Sequence, residues 1–145
     1  MSYRIRRVDP FWIAHPVVIG AAVIGVILAL FGYWKDFVPL SIIGGIALAG
    51  GVLAATRPAI SAVLGALGFL GGLITFIILP NPQLADLAWG WKLVSTLFFG
   101  LLYMVLMDAL VLVVSALYNF FANTLNLGGI HLDIEEGAEA ARPEG

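Results

Sequence analysis

Cysteine is missing from this 145-residue chain. That excludes disulfides and cysteine-held zinc or iron–sulfur clusters, and leaves the redox compartment open. Charge is scarce: only 11% of residues are Asp, Glu, Lys or Arg, against about 25% in soluble domains. The net charge of −2 leaves no broad basic surface, so nucleic acid is not an expected partner. With His15 and His131 as the sole histidines, no metal site is expected. The sequence has no Gly-rich phosphate loop, nucleophile elbow, Ser–His–Asp order or metalloprotease helix. Ser41, Ser61, Ser95 and Ser115 have no base near them in sequence. Acid–base catalysis needs at least two placed groups, and the apolar stretches supply one. No enzyme and no cofactor are expected.

What the chain has is apolar length. Hydrophobic residues make up 61% of it, and its mean hydropathy is +1.04. The charges fall at the ends and in short breaks, leaving four apolar stretches at about residues 11–32, 38–55, 58–79 and 88–114. About 20 residues rising 1.5 Å each cross a ~30 Å hydrocarbon core. The expectation is an all-α membrane protein: a four-span transmembrane helical bundle forming one domain over residues 1–136. The basic N-terminal segment runs into a span bearing tryptophan and proline, with no small-residue cleavage site, so it does not read as a cleavable signal.

The breaks at residues 33–37, 56–58 and 80–86 are short enough to make neighbouring spans antiparallel. Arg4, Arg6 and Arg7 precede the first span, and Arg57 follows two crossings, whereas Lys35 and Lys92 lie on the other side. The excess of basic residues predicts both termini on the cytoplasmic side of the cell membrane. Tyr33, Trp34, Trp89 and Trp91 then mark the outer interface, and Trp12 and Tyr118 the inner one.

The last stretch runs without proline or paired glycine from residue 88 to 126. A straight helix of that length would reach ~57 Å. It is expected to leave the membrane or bend near Tyr118–Phe121 and to end at Gly128 and Gly129. The two ends alternate like strands. Tyr3 and Ile5 interleave with Arg4 and Arg6, and Ile130, Leu132 and Ile134 interleave with His131, Asp133 and Glu135. Arginines on one segment and acids on the other predict a small cytoplasmic β ribbon, worth ~0.2–1 kcal/mol per matched pair. Its open edges suggest a homo-oligomer. The small and charged residues 137–145 read as a disordered tail.

Asp108 is the residue most in need of explanation. It is the only acidic or basic side chain between residues 93 and 114. A charged carboxylate inside a span costs ~2.5–3.5 kcal/mol on insertion scales. Asp108 therefore needs a partner, a wet cavity or a proton. Measured from Lys92 it lies ~24 Å along the helix, in the inner part of the core. Ser115 and Asn119, at i+7 and i+11, share its face. Two readings stand: a structural Asp108, paired with Arg57 or reaching the cytoplasmic interface, or a polar vestibule or proton- or cation-binding site formed by Asp108, Ser115 and Asn119.

Glycine supplies the other pattern. The second span holds Gly44, Gly45, Gly50 and Gly51; the third holds Gly65, Gly68, Gly71 and Gly72. Small residues four apart let backbones approach closely in lipid, and predict tight packing of spans two and three, within one chain or between copies.

The two ends also carry a recognisable pattern: Arg6-Arg7-x-Asp9-Pro10 before the first span, then Leu117-Tyr118-Asn119 and Gly128-Gly129-Ile130 around the end of the last. Here the chain resembles a family of small transmembrane proteins of unknown function, widespread in actinobacteria. The resemblance implies that the two ends lie together on one side of the membrane, with Asp9 capping the first span and Pro10 at its first position. For function, two classes follow from the sequence. One is a non-catalytic structural or accessory subunit that self-assembles or joins a larger membrane complex. The other is a channel or transporter for protons, cations or a small solute that uses Asp108.

Overall fold

A computed structural model describes residues 2–5, 7–13, 15–125 and 130–133. The elements run β1 (Ser2–Ile5), α1 (Pro16–Trp34), α2 (Val38–Ala55), α3 (Pro58–Leu73), the one-turn α4 (Pro82–Ala85), α5 (Trp89–Asn119) and β2 (Ile130–Asp133). α3 and α5 each finish in a wider π turn, at Ile74–Ile78 and Phe120–Thr124. Four of these helical stretches are long and apolar enough to cross a membrane: Pro16–Trp34, Val38–Ala55, Pro58–Ile78 and Trp89–Thr124. Backbone contacts divide the chain into two units, Pro10–Leu112 and Met1–Asp9 with Val113–Gly145.

The first span begins at Pro16, five residues later than composition suggested. Residues 10–12 are not helical, because their backbone groups bond elsewhere. Trp12 N–H donates to the Ala55 carbonyl at 2.7 Å, Arg57 N–H donates to the Pro10 carbonyl at 2.9 Å, and Phe11 bridges Thr56. The expected Asp9 cap with Pro10 at N1 is corrected accordingly. His15 is the N-cap, its Nδ1 accepting from Val17 N–H at 3.3 Å, and Pro16 takes the first helical position, where a missing N–H costs nothing.

α1 ends in a Schellman turn. Asp36 N–H bonds the Tyr33 carbonyl and Phe37 N–H bonds the Gly32 carbonyl, with Asp36 at φ 52° in the left-handed position usually given to glycine. Lys35 Nζ lies 5.0 Å from the centre of the Trp34 ring. Proline opens α2, α3 and α4 as well, and Asn81 caps α4 by accepting from Gln83 N–H.

Glycine sets the helix pairing, though not the pairing expected. Gly44 and Gly51 of α2 face α1, not α3. A Cβ at Gly25 would lie 2.8 Å from the Gly44 carbonyl oxygen, and one at Gly44 would lie 2.7 Å from that of Gly25. Gly32 meets Ser41, and Gly51 meets Ala22. Partner numbers fall on α2 as they rise on α1, so the pair is antiparallel. The glycines of α3 meet α5: Gly65 meets Met104, Gly68 meets Gly100 and Tyr103, and Gly72 meets Thr96. Gly45 and Gly50 have nothing within 4 Å of where a Cβ would sit. The reason is angular. Gly25 and Gly32 repeat at seven residues, as do Gly44 and Gly51, so each pair stays on one helix face; Gly45 and Gly50 lie off that face.

Among the described residues Val52, Ala55, Val105 and Ala122 are buried apolar side chains, as is Pro10, while large apolar side chains along every span point outward. In water this would be an aggregating surface; for membrane helices it is the face offered to lipid or to other helices.

In the other unit, β1 and β2 pair antiparallel, with Ser2 opposite Asp133, Tyr3 opposite Leu132, Arg4 opposite His131 and Ile5 opposite Ile130. In this backbone register Arg4 stands opposite His131, and Asp133 opposite Ser2. Arg6, Glu135, Gly128, Gly129 and the 137–145 tail lie outside the described residues.

Candidate functional site

Ser61, Gly65, Gly68 and Gly72 stand at i, i+4, i+7 and i+11 of α3, which places them along one helix face. With no side chains on three of the four, α5 comes close enough for its backbone to touch. Against this strip α5 lays Asp108, Met104, Gly100 and Thr96 in descending order. The face therefore has a polar contact at each end and glycines between. At one end Thr96 Oγ1 donates 2.8 Å to the Lys92 carbonyl, with the Gly72 carbonyl 3.4 Å away. At the other end is Asp108.

Asp108 is 0% exposed. Its Oδ2 accepts from the Ser61 hydroxyl at 2.6 Å, within the ordinary range for an O–H donor. Its Oδ1 is buried and has no hydrogen-bond partner among the described residues. The expected Arg57–Asp108 ion pair is not formed. Arg57 is the N-cap of α3 and Ser61 lies one turn, ~6 Å, further along the helix; the antiparallel register brings Asp108 level with Ser61. Arg57 is exposed and lines an open cleft of about 380 Å³ with Phe11, Trp12, Pro58 and Ala59.

The remaining expected site residues go separate ways. Ser115 is buried. Asn119 grips the N-terminal segment: its Oδ1 accepts from Val8 N–H at 2.8 Å and its Nδ2 donates to the Val8 carbonyl at 2.7 Å. That amide satisfies both backbone groups of one residue, as a neighbouring strand would. Both of its polar atoms are thus occupied in holding the chain. Nearby, Arg7 and Asp9 are paired at 4.0 Å, both well exposed, so the pair contributes little.

Ser61 is the site residue that sequence reasoning passed over. With no base beside it, it is a poor nucleophile, and its sequence neighbours suggest no other role. The signal that locates it is its place on the Gly65–Gly68–Gly72 face. No group of three or more His, Cys, Asp or Glu side chains able to hold a metal is found among the described residues. An apolar groove of about 220 Å³ opens along the same helix pair, lined by Gly65, Phe69, Leu97, Gly100, Leu101 and Met104. Chemically, the site offers one carboxylate, half satisfied by a neutral donor, between two closely packed helices. No family model matches the chain, and neither a curated protein nor a solved structure matches it.

Proposed function

We propose that the chain is a non-catalytic integral protein of the cell membrane, with both termini cytoplasmic, serving as a structural or accessory subunit that self-assembles or joins a larger membrane complex. The observation that carries this reading is the ratio of inside to outside. Between 11% and 22% of each span's most apolar window is buried within the chain, so most apolar helix surface is left for lipid or other helices. Gly45 and Gly50 lie open on that outward surface of α2, where small residues let another helix come close. The paired terminal strands form a two-stranded sheet, whose edges accept further strands. The likeness of both ends to the small actinobacterial membrane proteins belongs to the same proposal. It is supported by the Asn119–Val8 pair, which ties the Leu-Tyr-Asn motif to the segment between Arg7 and Asp9.

Native mass spectrometry of the full chain in nanodiscs tests this reading. A discrete homo-oligomer, or a fixed-stoichiometry particle with other proteins, is the expected result. A monomer in nanodiscs that also co-purifies with nothing from its native membrane would overturn it.

A second reading is favoured by one atom. Oδ1 of Asp108, without a hydrogen-bond partner among the described residues, is the kind of intramembrane polar group that marks ion and proton sites, which supports a channel or transporter for protons, cations or a small solute. Asp108→Asn in proteoliposomes separates the two readings. Loss of a measured flux with assembly intact favours transport, and unchanged flux favours the structural role.

A further inference from the structure

A carboxylate inside a membrane span is relieved by a partner, by water or by a proton. The geometry around Asp108 closes the first two routes for one of its oxygens. Ser61 supplies a donor to Oδ2, but a hydroxyl brings no countercharge, and Oδ1 receives nothing from the described residues. The residue is 0% exposed, so water does not reach it in this arrangement.

The charged and titratable groups nearby do not replace a countercharge. On α3, Arg57 lies one turn beyond Ser61. On α5, Tyr103 packs its Cβ side against Gly68, and Lys92 donates to the Ala85 carbonyl at the far end of the helix pair. α1 and α2 contain no Asp, Glu, Lys, Arg or His. A hard metal cation needs about six oxygen ligands, and one carboxylate with one hydroxyl falls far short. A proton needs a single oxygen.

A groove opens one turn away from the site. Met104 is half-buried one turn before Asp108, and Gly65 one turn after Ser61; both line the open 220 Å³ groove. The Met104 sulfur would lie 2.9 Å from a Cβ at Gly65, and a thioether on three rotatable bonds is a soft, mobile wall.

We propose that Asp108 Oδ1 is a proton-binding site, reached from the α3–α5 groove when the Met104 side chain turns aside. An O–H bond forms at Oδ1 from hydronium, water leaves, and Oδ2 keeps the Ser61 hydrogen bond as a carbonyl oxygen. This deepens the transport reading of Asp108 and names its ion, and it rests on that reading only for what the proton would be used for.

The test is reaction of the full chain in nanodiscs with dicyclohexylcarbodiimide, which adds to protonated carboxyls in apolar surroundings. Intact mass and peptide mapping are the readouts. One adduct per chain is expected, mapped to Asp108 and lost in Asp108→Asn. Its rate should fall about tenfold per pH unit on the alkaline side, where the acid form is depleted, and should rise several-fold in Met104→Ala. Peptide mapping of the unmutated chain locates the adduct without requiring any variant to fold. No adduct at any pH from mildly acid to mildly alkaline, or an adduct elsewhere, would overturn the site. Proton uptake by proteoliposomes, run in parallel, separates the two readings. Labelling at Asp108 without flux keeps the proton site and sinks transport; flux without labelling at Asp108 sinks the proton site.

Discussion

The α1–α2 and α3–α5 pairs use the same device and differ in one respect. Both bring backbones together across glycine. The α1–α2 seam holds by shape: Gly25, Gly32, Gly44 and Gly51 meet backbone or small side chains, and its one interhelical side-chain bond is a long one, Ser41 Oγ to the Ala29 carbonyl at 3.3 Å. The α3–α5 seam adds Asp108 and Ser61 at one end and Thr96 at the other. In lipid no hydrophobic effect draws helices together, so packing and hydrogen bonds decide their association. A seam closed by shape, with one hydroxyl–carbonyl hydrogen bond across it, is enough to hold a hairpin. The difference teaches that Asp108 is not needed merely to pair two helices, which directs attention to what else it does.

The largest effect is expected where shape alone operates. Gly44→Leu drives a branched side chain into the Ala29 backbone and the Gly25 carbonyl. Overpacking ordinarily costs ~1–3 kcal/mol; here the obstacle is backbone that cannot turn aside, so about 3 kcal/mol or more is expected. Gly45→Leu, one residue away and open within the chain, should stay within about 0.5 kcal/mol for the hairpin itself, whatever it does to assembly. Reversible unfolding in mixed micelles, followed by a donor–acceptor pair across the α1–α2 hairpin, measures both. Equal losses for the two variants would show that the seam is not where the close contacts place it.

At the opposite extreme is the Asn119–Val8 pair, which uses hydrogen bonds with no close glycine seam. Two bonds at roughly 0.5–1.5 kcal/mol each put Asn119→Ala at about 1–3 kcal/mol. The loss should appear as faster hydrogen exchange at Val8 and faster proteolysis of the N-terminal segment, with spans α1 to α3 unaffected. Asn119→Asp keeps the acceptor for Val8 N–H and loses the donor for its carbonyl, so it should fall between wild type and Asn119→Ala.

The Ser61–Asp108 bond sharpens the comparison more finely. Interhelical hydrogen bonds in membranes average ~0.6 kcal/mol in double-mutant cycles and reach ~1.7. The cycle Ser61→Ala with Asp108→Ala should give a coupling in that range. Asp108→Leu should cost no more than about that coupling, because losing the Ser61 hydrogen bond is offset by removing the unsatisfied Oδ1. A loss of several kcal/mol in Asp108→Leu would instead make Asp108 a structural pin, and the two seams would then differ in mechanism as well as in chemistry.

The legible parts of this chain are those governed by composition over many residues. Proline and apolar length place α2 at Val38–Ala55 and the third span at Pro58–Ile78, within a residue of the expectation. The start of the first span was hidden because Phe11, Trp12 and Ile13 look as helical as any apolar residues. The backbone of residues 10–12 pairs with residues 55–57, and no local pattern records that. A local signal did exist one step later, in Pro16 following the polar His15. Asp108 stood out because its cost in a membrane is intrinsic to one residue. Its partner did not, because choosing Ser61 over Arg57 requires the register between two helices. The glycines were visible as a set, yet which of them meet a neighbour depends on helix phase. Gly44 and Gly45 are adjacent in sequence and opposite in role.

The smallest effect concerns the turn that closes the shape-only hairpin. Asp36 occupies φ 52° at the end of α1, with the two Schellman hydrogen bonds formed around it. A left-handed conformation costs an L-residue roughly 1–2 kcal/mol, less for Asp, whose short polar side chain tolerates it. Asp36→Gly removes that cost and adds backbone freedom to the unfolded chain, which offsets part of the gain. A net stabilisation of a few tenths up to about 1 kcal/mol is expected in the same hairpin-unfolding measurement. If Asp36→Gly relieves strain in the α1–α2 turn, it should partly restore Gly44→Ala and leave Ser61→Ala unchanged, because α3–α5 does not use that turn. Equal rescue of both variants would mean that the two seams unfold as one, and the distinction between them would have no energetic content.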